Sequence, residues 1–229
     1  MEAIKAQLKE LADPADAQFL QGYFRTGPGQ YGEGDRFLGI RVPVLRKIAR
    51  GFKDLPIDGI VELLADPYHE VRMVAVLIMV HQAGRGRAEE MYHLYLRHTH
   101  RINNWDLVDV SAPHIVGSYL YQRDHGPLYE LARFSSLWER RISIIATQYF
   151  IKQGHYKTTL EISQLLLNDE NDLIHKAVGW MLREVGKRDR SLLEDFLGEH
   201  YRGMPRTMLR YAIEKFPEDL RQAYLHGRV

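Results

Sequence analysis

The sequence predicts an all-α chain built from paired helices, and three observations lead to this fold class. Apolar residues recur at i, i+3, i+4 and i+7 in almost every segment, which is the period of a helix buried on one side. No segment of useful length alternates apolar and polar residues as a half-buried strand does. Related helix openings recur along the chain, which indicates an internal repeat.

The predicted helices follow one another with short junctions. A first pair over 2–12 and 16–25 is interrupted at Asp13-Pro14, because proline does not continue a helix. A flexible loop at about 26–35 follows, because its glycines disfavour regular structure. Beyond the loop, helical periodicity covers the segments 43–51, 57–64, 68–82, 88–98, 105–121, 127–133, 137–152, 156–167, 173–187, 191–199 and 205–215.

A basic residue recurs near the start of three of these helices, as Arg72, Arg141 and Lys176. Paired helices that repeat every 35–45 residues or so are typical of a HEAT-like or TPR-like solenoid. Equivalent positions of a solenoid line one concave face, which predicts a basic trough on a single domain over 1–229. The alternative is that Arg and Lys are simply common on helix surfaces.

The composition removes several classes of protein. The chain has no cysteine, which excludes disulfide frameworks, thiolate zinc sites, cysteine-ligated clusters and cysteine nucleophiles. No run of 18 apolar residues or signal-peptide core is present, so we expect no membrane partner and a cytoplasmic protein. His93, His98 and His100 lack a recognised metal spacing, which predicts no metal and no cofactor. The net charge is only +1, so a nucleic-acid partner has to be inferred from local charge.

The helix over 173–187 carries an aromatic residue away from its apolar face. One continuous stripe should face the core: Ile174, Ala177, Val178, Met181, Leu182 and Val185. Lys176, Trp180, Arg183 and Lys187 form a row on another face. Rings among cations suit a sugar–phosphate backbone, because the cations meet phosphate and the ring meets sugar or base. The alternative is a Trp packed on a neighbouring helix among solvated lysines.

Trp105 and Asp109 are neighbours on one helix face, at i and i+4. Pro113 has no N–H for the carbonyl of Asp109, so the helix either bends there or a new helix begins. A carboxylate beside an indole at a broken helix indicates a functional site. The structural alternative is that the carboxylate caps a helix N-terminus and that Trp105 fills the core. Arg141, at the edge of an apolar stripe, needs an acceptor, such as Asp109 or a ligand phosphate.

A third group of cations surrounds Pro43. Arg41, Arg46 and Lys47 could meet phosphate at a helix N-terminus, or they form a solvated face.

These pieces together resemble the AlkD-like DNA alkylation repair family, whose members are HEAT-like-repeat DNA glycosylases. The similarity covers most of 35–216 and runs through four motifs: Phe37-Leu38-Gly39-Ile40-Arg41-Val42-Pro43, Trp105-Asp106-Leu107-Val108-Asp109, Trp138-Glu139-Arg140-Arg141 and Ala177-Val178-Gly179-Trp180-Met181-Leu182-Arg183-Glu184. Two departures stand out. The glycine-rich loop looks longer than in the family, and Asn104 stands where some members have a second aromatic residue.

The resemblance implies excision of cationic alkylated purines, chiefly N7-alkylguanine and N3-alkyladenine, from duplex DNA without base flipping. It places the catalytic aspartate at Asp109, the sugar-contacting indoles at Trp105 and Trp180, and the active-site arginine at Arg141. We also expect a monomer without metal, associated with the nucleoid in a bacterium. No deep base pocket is evident in the sequence. The competing hypothesis is a non-catalytic HEAT-like module that binds DNA or a protein, since fold alone does not decide between them.

Overall fold

The computed structural model describes every residue from Met1 to Val229, and it is all-α as predicted. The only extended pairing is an isolated bridge between Arg36 and Tyr68. The chain forms two compact units, Met1–Ile115 and Val116–Val229, which we call the N-terminal and the C-terminal unit. None of the helices combines the length and the apolar composition that a membrane-spanning segment requires.

Seven α-helices form the N-terminal unit: α1 (Glu2–Glu10), α2 (Pro14–Tyr23), α3 (Val42–Gly51), α4 (Ile57–Leu64), α5 (His69–Gln82), α6 (Ala88–Arg97) and α7 (Trp105–Ala112). A kink at Ala83–Arg87, where Arg85 and Gly86 leave the helical conformation, and a 3₁₀ turn at Thr99–Arg101 flank α6. Within this unit α5 is the central helix, because it packs against α3, α4, α6 and α7. Its residues from His69 to Met79 are all buried.

The C-terminal unit contains eight α-helices: α8 (Ser118–Leu120), α9 (Gly126–Leu131), α10 (Leu137–Lys152), α11 (Lys157–Leu165), α12 (Asp172–Gly186), α13 (Arg190–His200), α14 (Arg206–Ala212) and α15 (Glu218–Leu225). Here α10, α12 and α14 pack side by side, while α9, α11 and α13 pack against them as a second layer. This two-layer stacking of helix pairs confirms the helical repeat architecture.

The predicted break at Pro113 is present as a π-helical turn, Pro113–Gly117. α7 ends at Ala112, because Pro113 cannot donate a backbone hydrogen bond to the preceding turn. The long helix predicted over 105–121 is therefore two short α-helical pieces with a wider turn between them.

The recurring basic residues have different environments, which corrects part of the basic-trough hypothesis. Arg72 is buried; it pairs with Asp35 at 2.6 Å and donates to the carbonyls of Asp66 and Pro67. A buried guanidinium of this kind holds the start of a repeat together, because it ties the carbonyls that precede α5 to the carboxylate of Asp35. Arg72 therefore does not line a solvent-facing trough.

Candidate active site

The helix that carries Trp105 and Asp109 begins at a buried cap. Asn104 is fully buried, and its side-chain oxygen accepts a hydrogen bond from the backbone N–H of Trp105 at 2.8 Å. Its side-chain nitrogen donates to Asp35 at 3.1 Å. The asparagine that departs from the family pattern therefore starts α7 and ties it to the end of the glycine-rich loop.

Trp105 and Asp109 both line one cavity of about 400 Å³ in the N-terminal unit, together with Arg41. This cavity was not predicted from the sequence. Its other walls are mostly apolar and come from α2 and the residue after it, the segment before α3, the N-terminal halves of α3 and α5, and α7: Phe19, Leu20, Tyr23, Phe24, Phe37, Ile40, Val42, Leu45, His69, Glu70, Met73, Asp106 and Val110.

Aromatic rings fix the position of the Trp105 indole. Phe24 stacks on Trp105 with ring centroids 5.3 Å apart and on Phe37 with centroids 5.0 Å apart. Tyr23 meets the indole edge-on at 6.2 Å. Phe19 and Tyr23 are 58% and 56% exposed, which is unusual for such large rings. The cavity thus combines an aromatic wall, which suits a cationic or planar ligand, with the carboxylate of Asp109.

A buried ionic network supports the cavity from behind. His69 lies between two carboxylates, with Nε2 2.8 Å from Asp106 and Nδ1 3.5 Å from Asp35, and Asp35 also pairs with Arg72. Burial alone would lower the pKa of His69, but the carboxylates of Asp106 and Asp35 outweigh it and raise the pKa to about 9. Burial would raise the pKa of Asp35, but His69 and Arg72 hold it below its usual value. At neutral pH the imidazolium therefore bridges the glycine-rich loop and α7.

The His69 network predicts a loss of stability in mild alkali. Because the folded pKa lies above the value of about 6.5 in the unfolded chain, the imidazolium stabilises the fold fully below that value. This contribution disappears as the pH rises through about 9, and the loss between pH 7 and 9 is about 2 kcal/mol. Urea unfolding at pH 6, 7, 8 and 9 should show this decline in the wild type and a flatter profile in His69→Gln. Equal pH profiles would show that the imidazole is not charged in the fold.

The segment before α3, which carries the first family motif, is held by a buried carboxylate. Glu70 accepts hydrogen bonds from the backbone N–H groups of Leu38, Gly39 and Ile40 at 2.9, 2.9 and 3.2 Å. Gly39 has a φ of +85°, and a Cβ there would overlap the carbonyl oxygen of Asp13. Only glycine combines this backbone conformation with such a close approach. The motif therefore shapes one wall of the cavity.

The three cations predicted around Pro43 divide into two kinds. Arg41 forms a bidentate ion pair with Asp16, at 2.6 and 3.0 Å, and its guanidinium lies 5.6 Å from the ring centre of Phe19. Arg46 and Lys47 lie on the exposed side of α3. The pKa of His81 is lowered, first by partial burial and then by nearby cations, of which Arg50 and Arg46 belong to α3.

In the C-terminal unit, α12 has the two faces that the sequence predicts. The apolar stripe is fully buried, whereas Trp180 is half-buried. The cations in its row all have acidic partners: Lys176 pairs with Asp172 at 2.7 Å, Lys187 with Glu184 at 2.6 Å, and Arg183 with Glu214. A row of cations and an indole is present, but its charge is balanced locally.

Arg141 belongs to the first turn of α10 and is buried. Its Nη1 donates to the backbone carbonyl of Leu173, in the first turn of α12, at 2.5 Å. Arg141 thus connects two neighbouring helices of the C-terminal unit. No cluster of three His, Asp or Glu side chains has the geometry to hold a metal ion.

Comparisons with known proteins agree with this architecture. A protein-family model described as "DNA alkylation repair enzyme" matches residues 4–216. A solved structure described as a predicted DNA alkylation repair enzyme from Enterococcus faecalis aligns with a TM-score of 0.71 at 16% identity. The alignment covers 90% of this chain and 97% of that one. No curated protein matches the sequence. Because the family model spans almost the whole chain, the protein belongs to the DNA alkylation repair enzyme family.

Proposed function

We propose that the protein is a monofunctional DNA glycosylase that hydrolyses the N-glycosidic bond of cationic alkylated purines in duplex DNA. The observation that carries this proposal is the placement of Asp109 and Trp105 on the wall of one aromatic cavity. The proposed substrates are N7-alkylguanine and N3-alkyladenine, and family membership in alkylation repair supports this choice.

The departure of the alkylated base needs little assistance from the protein. Alkylation at N7 or N3 makes the purine cationic, so it is already a good leaving group and needs little help from a general acid. Its departure leaves positive charge on the deoxyribose. A carboxylate aimed at the sugar stabilises this charge and can orient the attacking water. In this mechanism Asp109 is the fixed negative charge, and the face of Trp105 adds cation–π stabilisation.

Trp180 and Arg141 are proposed to take part from the C-terminal unit. The half-buried indole of Trp180 offers a ring for a sugar, and Arg141 offers a guanidinium for a phosphate; both proposals rest on the resemblance to the family. No lysine lines the cavity, so an imine intermediate is not part of the mechanism. We therefore propose hydrolysis without strand cleavage and, from the resemblance, without base flipping.

The direct test is the release of free 7-methylguanine from a methylated duplex oligonucleotide. The expected products are the free base and an abasic but uncut strand. The competing hypothesis is a non-catalytic module that binds DNA or a protein, which the net charge of +1 and the paired cations of α12 favour. Binding of the duplex without base release would support that module and reject the glycosylase.

The salt dependence of DNA binding should separate the unpaired cations from the paired ones. Each phosphate contact contributes about 0.9 to the slope of log K against log salt. Arg46→Gln/Lys47→Gln should therefore reduce the slope by up to about 1.8. Lys176→Gln and Lys187→Gln should reduce it less, because these side chains must first leave Asp172 and Glu184.

Fluorescence anisotropy of a labelled duplex at several salt concentrations measures these slopes. Lys9→Gln, which removes an exposed cation from the last turn of α1, serves as the matched control. An unchanged slope in the double variant would show that α3 does not contact the DNA backbone.

A further inference from the structure

A second cleft, of about 570 Å³, opens in the C-terminal unit between α14 and α15. Unlike the cavity around Trp105, it is lined by arginines. Its walls are formed by Arg206, Arg210, Tyr211, Ile213, Glu214, Arg221, Gln222 and Leu225. None of these residues belongs to the catalytic or DNA-binding set proposed above.

The positive charge of this cleft is not neutralised by its own carboxylates. Glu214 pairs with Arg183 and Lys215, neither of which is part of the cleft wall. Arg206 donates to the backbone carbonyl of Leu225 at 2.5 Å, and neither Arg206 nor its neighbour Arg210 has an acidic partner. Two exposed guanidinium groups therefore face one cleft with their charge available.

A third arginine of the cleft has an unused donor. Arg221 pairs with Glu218 through Nη2 at 2.8 Å, but its Nε is buried and has no hydrogen-bond partner. An unsatisfied buried N–H is costly, so a turn of this side chain that brings Nε to an acceptor in the cleft would be favoured. Glu218 also accepts a hydrogen bond from the side chain of Gln222 at 2.6 Å, so both partners of Glu218 belong to the cleft wall.

The cleft adjoins the Trp180 row of the same unit. α14 packs closely on α12, because Gly179 has no side chain and a Cβ there would overlap atoms of Met208 and Tyr211. Tyr211 thus touches the residue next to Trp180 on one side and lines the cleft on the other. Arg206 and Arg210, at i and i+4, occupy one face of α14. A strand that follows the Trp180 row would therefore meet this arginine face next.

We propose that the cleft between α14 and α15 binds a backbone phosphate of DNA, with Arg210 and Arg206 as its main ligands. The planar guanidinium fork matches phosphate oxygens in a bidentate manner. Three arginines around one cavity therefore suit a phosphate, which can accept from two guanidinium groups at once, better than they suit the carboxylate of an acidic side chain. That DNA is the source of the phosphate rests on the proposed function. A free phosphate anion is the other source with the same chemistry.

The test compares wild type, Arg210→Gln and Arg206→Gln/Arg210→Gln on a methylated duplex. Loss of one phosphate contact should reduce the salt slope by about 1 and weaken binding about tenfold near 0.1 M salt. The rate of 7-methylguanine release at saturating protein should not change, because the cleft lies outside the proposed reacting groups. The control is Arg133→Gln, another exposed arginine of this unit that donates only to a backbone carbonyl, that of Tyr129.

The outcomes separate this proposal from the proposed function. If DNA binding depends on Arg210 but no base is released, the phosphate site in the cleft is supported and the proposed glycosylase activity is rejected. If base release is normal and the Arg210 variants bind DNA as tightly as Arg133→Gln does, the cleft proposal is rejected and the proposed function is not affected. Calorimetric titration with inorganic phosphate provides the third arm. Tight phosphate binding that is lost in Arg210→Gln, with unchanged DNA affinity, would assign the cleft to free phosphate and reject the DNA contact.

Discussion

Replacing Asp109 with asparagine should slow the single-turnover release of 7-methylguanine by about 100- to 1000-fold. The substitution keeps the size of the side chain and most of its hydrogen bonding, but it removes the negative charge. In the proposed mechanism that charge faces the cation that develops on the deoxyribose, in a cavity whose walls are largely apolar. A charge in such surroundings acts more strongly than in water, because little solvent screens it.

The same variant should bind undamaged duplex DNA as well as the wild type, or slightly more tightly, since a negative charge near phosphate is removed. Asp54→Asn is the matched control, because Asp54 is an exposed carboxylate of the same unit that does not line the cavity. Rates are measured with protein in excess at one salt concentration. If wild type releases the base and Asp109→Asn does so equally fast, Asp109 has only a structural role.

The helical architecture could be predicted because each helix carries its own signal. In α12 the apolar stripe from Ile174 to Val185 is buried as expected, and Asn171 caps the helix by accepting a hydrogen bond from Leu173. The predicted bounds differ by one residue at each end, because the side-chain cap rather than the apolar pattern decides where the helix begins. The break at Pro113 was also predictable, because the missing N–H of proline acts within one turn of the helix.

The cavity could be predicted only in part. The spacing of Trp105 and Asp109 is local, so their common face follows from the helix period. The ring that stacks on Trp105 belongs to Phe24, 81 residues earlier in the chain, and no periodicity reports such a contact. The available signal was the pair Phe19 and Tyr23, two aromatic residues at i and i+4 on a helix whose other side faces the core.

The buried charges were the least predictable feature. Asp35, His69 and Arg72 are all buried, although Arg72 was expected to line the concave face because of its position in the repeat. Burial of one such group is unfavourable, whereas burial of the set is tolerated because each charge meets an opposite one. Such compensation depends on residues far apart in the sequence, so it appears only when the chain is folded.

Glu70 provides the second large effect, on stability rather than on chemistry. Glu70→Ala should lower the free energy of unfolding by about 4 kcal/mol, because the backbone N–H groups of Leu38, Gly39 and Ile40, the last two of them buried, lose their acceptor. Glu70→Gln should cost less, since its single carbonyl oxygen can still accept from Gly39 and Ile40, as Oε1 of Glu70 does. The order wild type, Gln, Ala is therefore expected in urea unfolding at pH 7.

The control is Glu62→Ala, which removes a half-exposed carboxylate whose partner is Lys5 and should cost less than 1 kcal/mol. Equal stability of Glu70→Ala and Glu62→Ala would show that the 38–40 backbone does not depend on Glu70. If the segment does depend on it, loss of Glu70 loosens the wall that presents Ile40 and Arg41 to the cavity. Base release by the folded fraction of Glu70→Gln should then fall together with stability, whereas Asp109→Asn should lose activity with little change in unfolding.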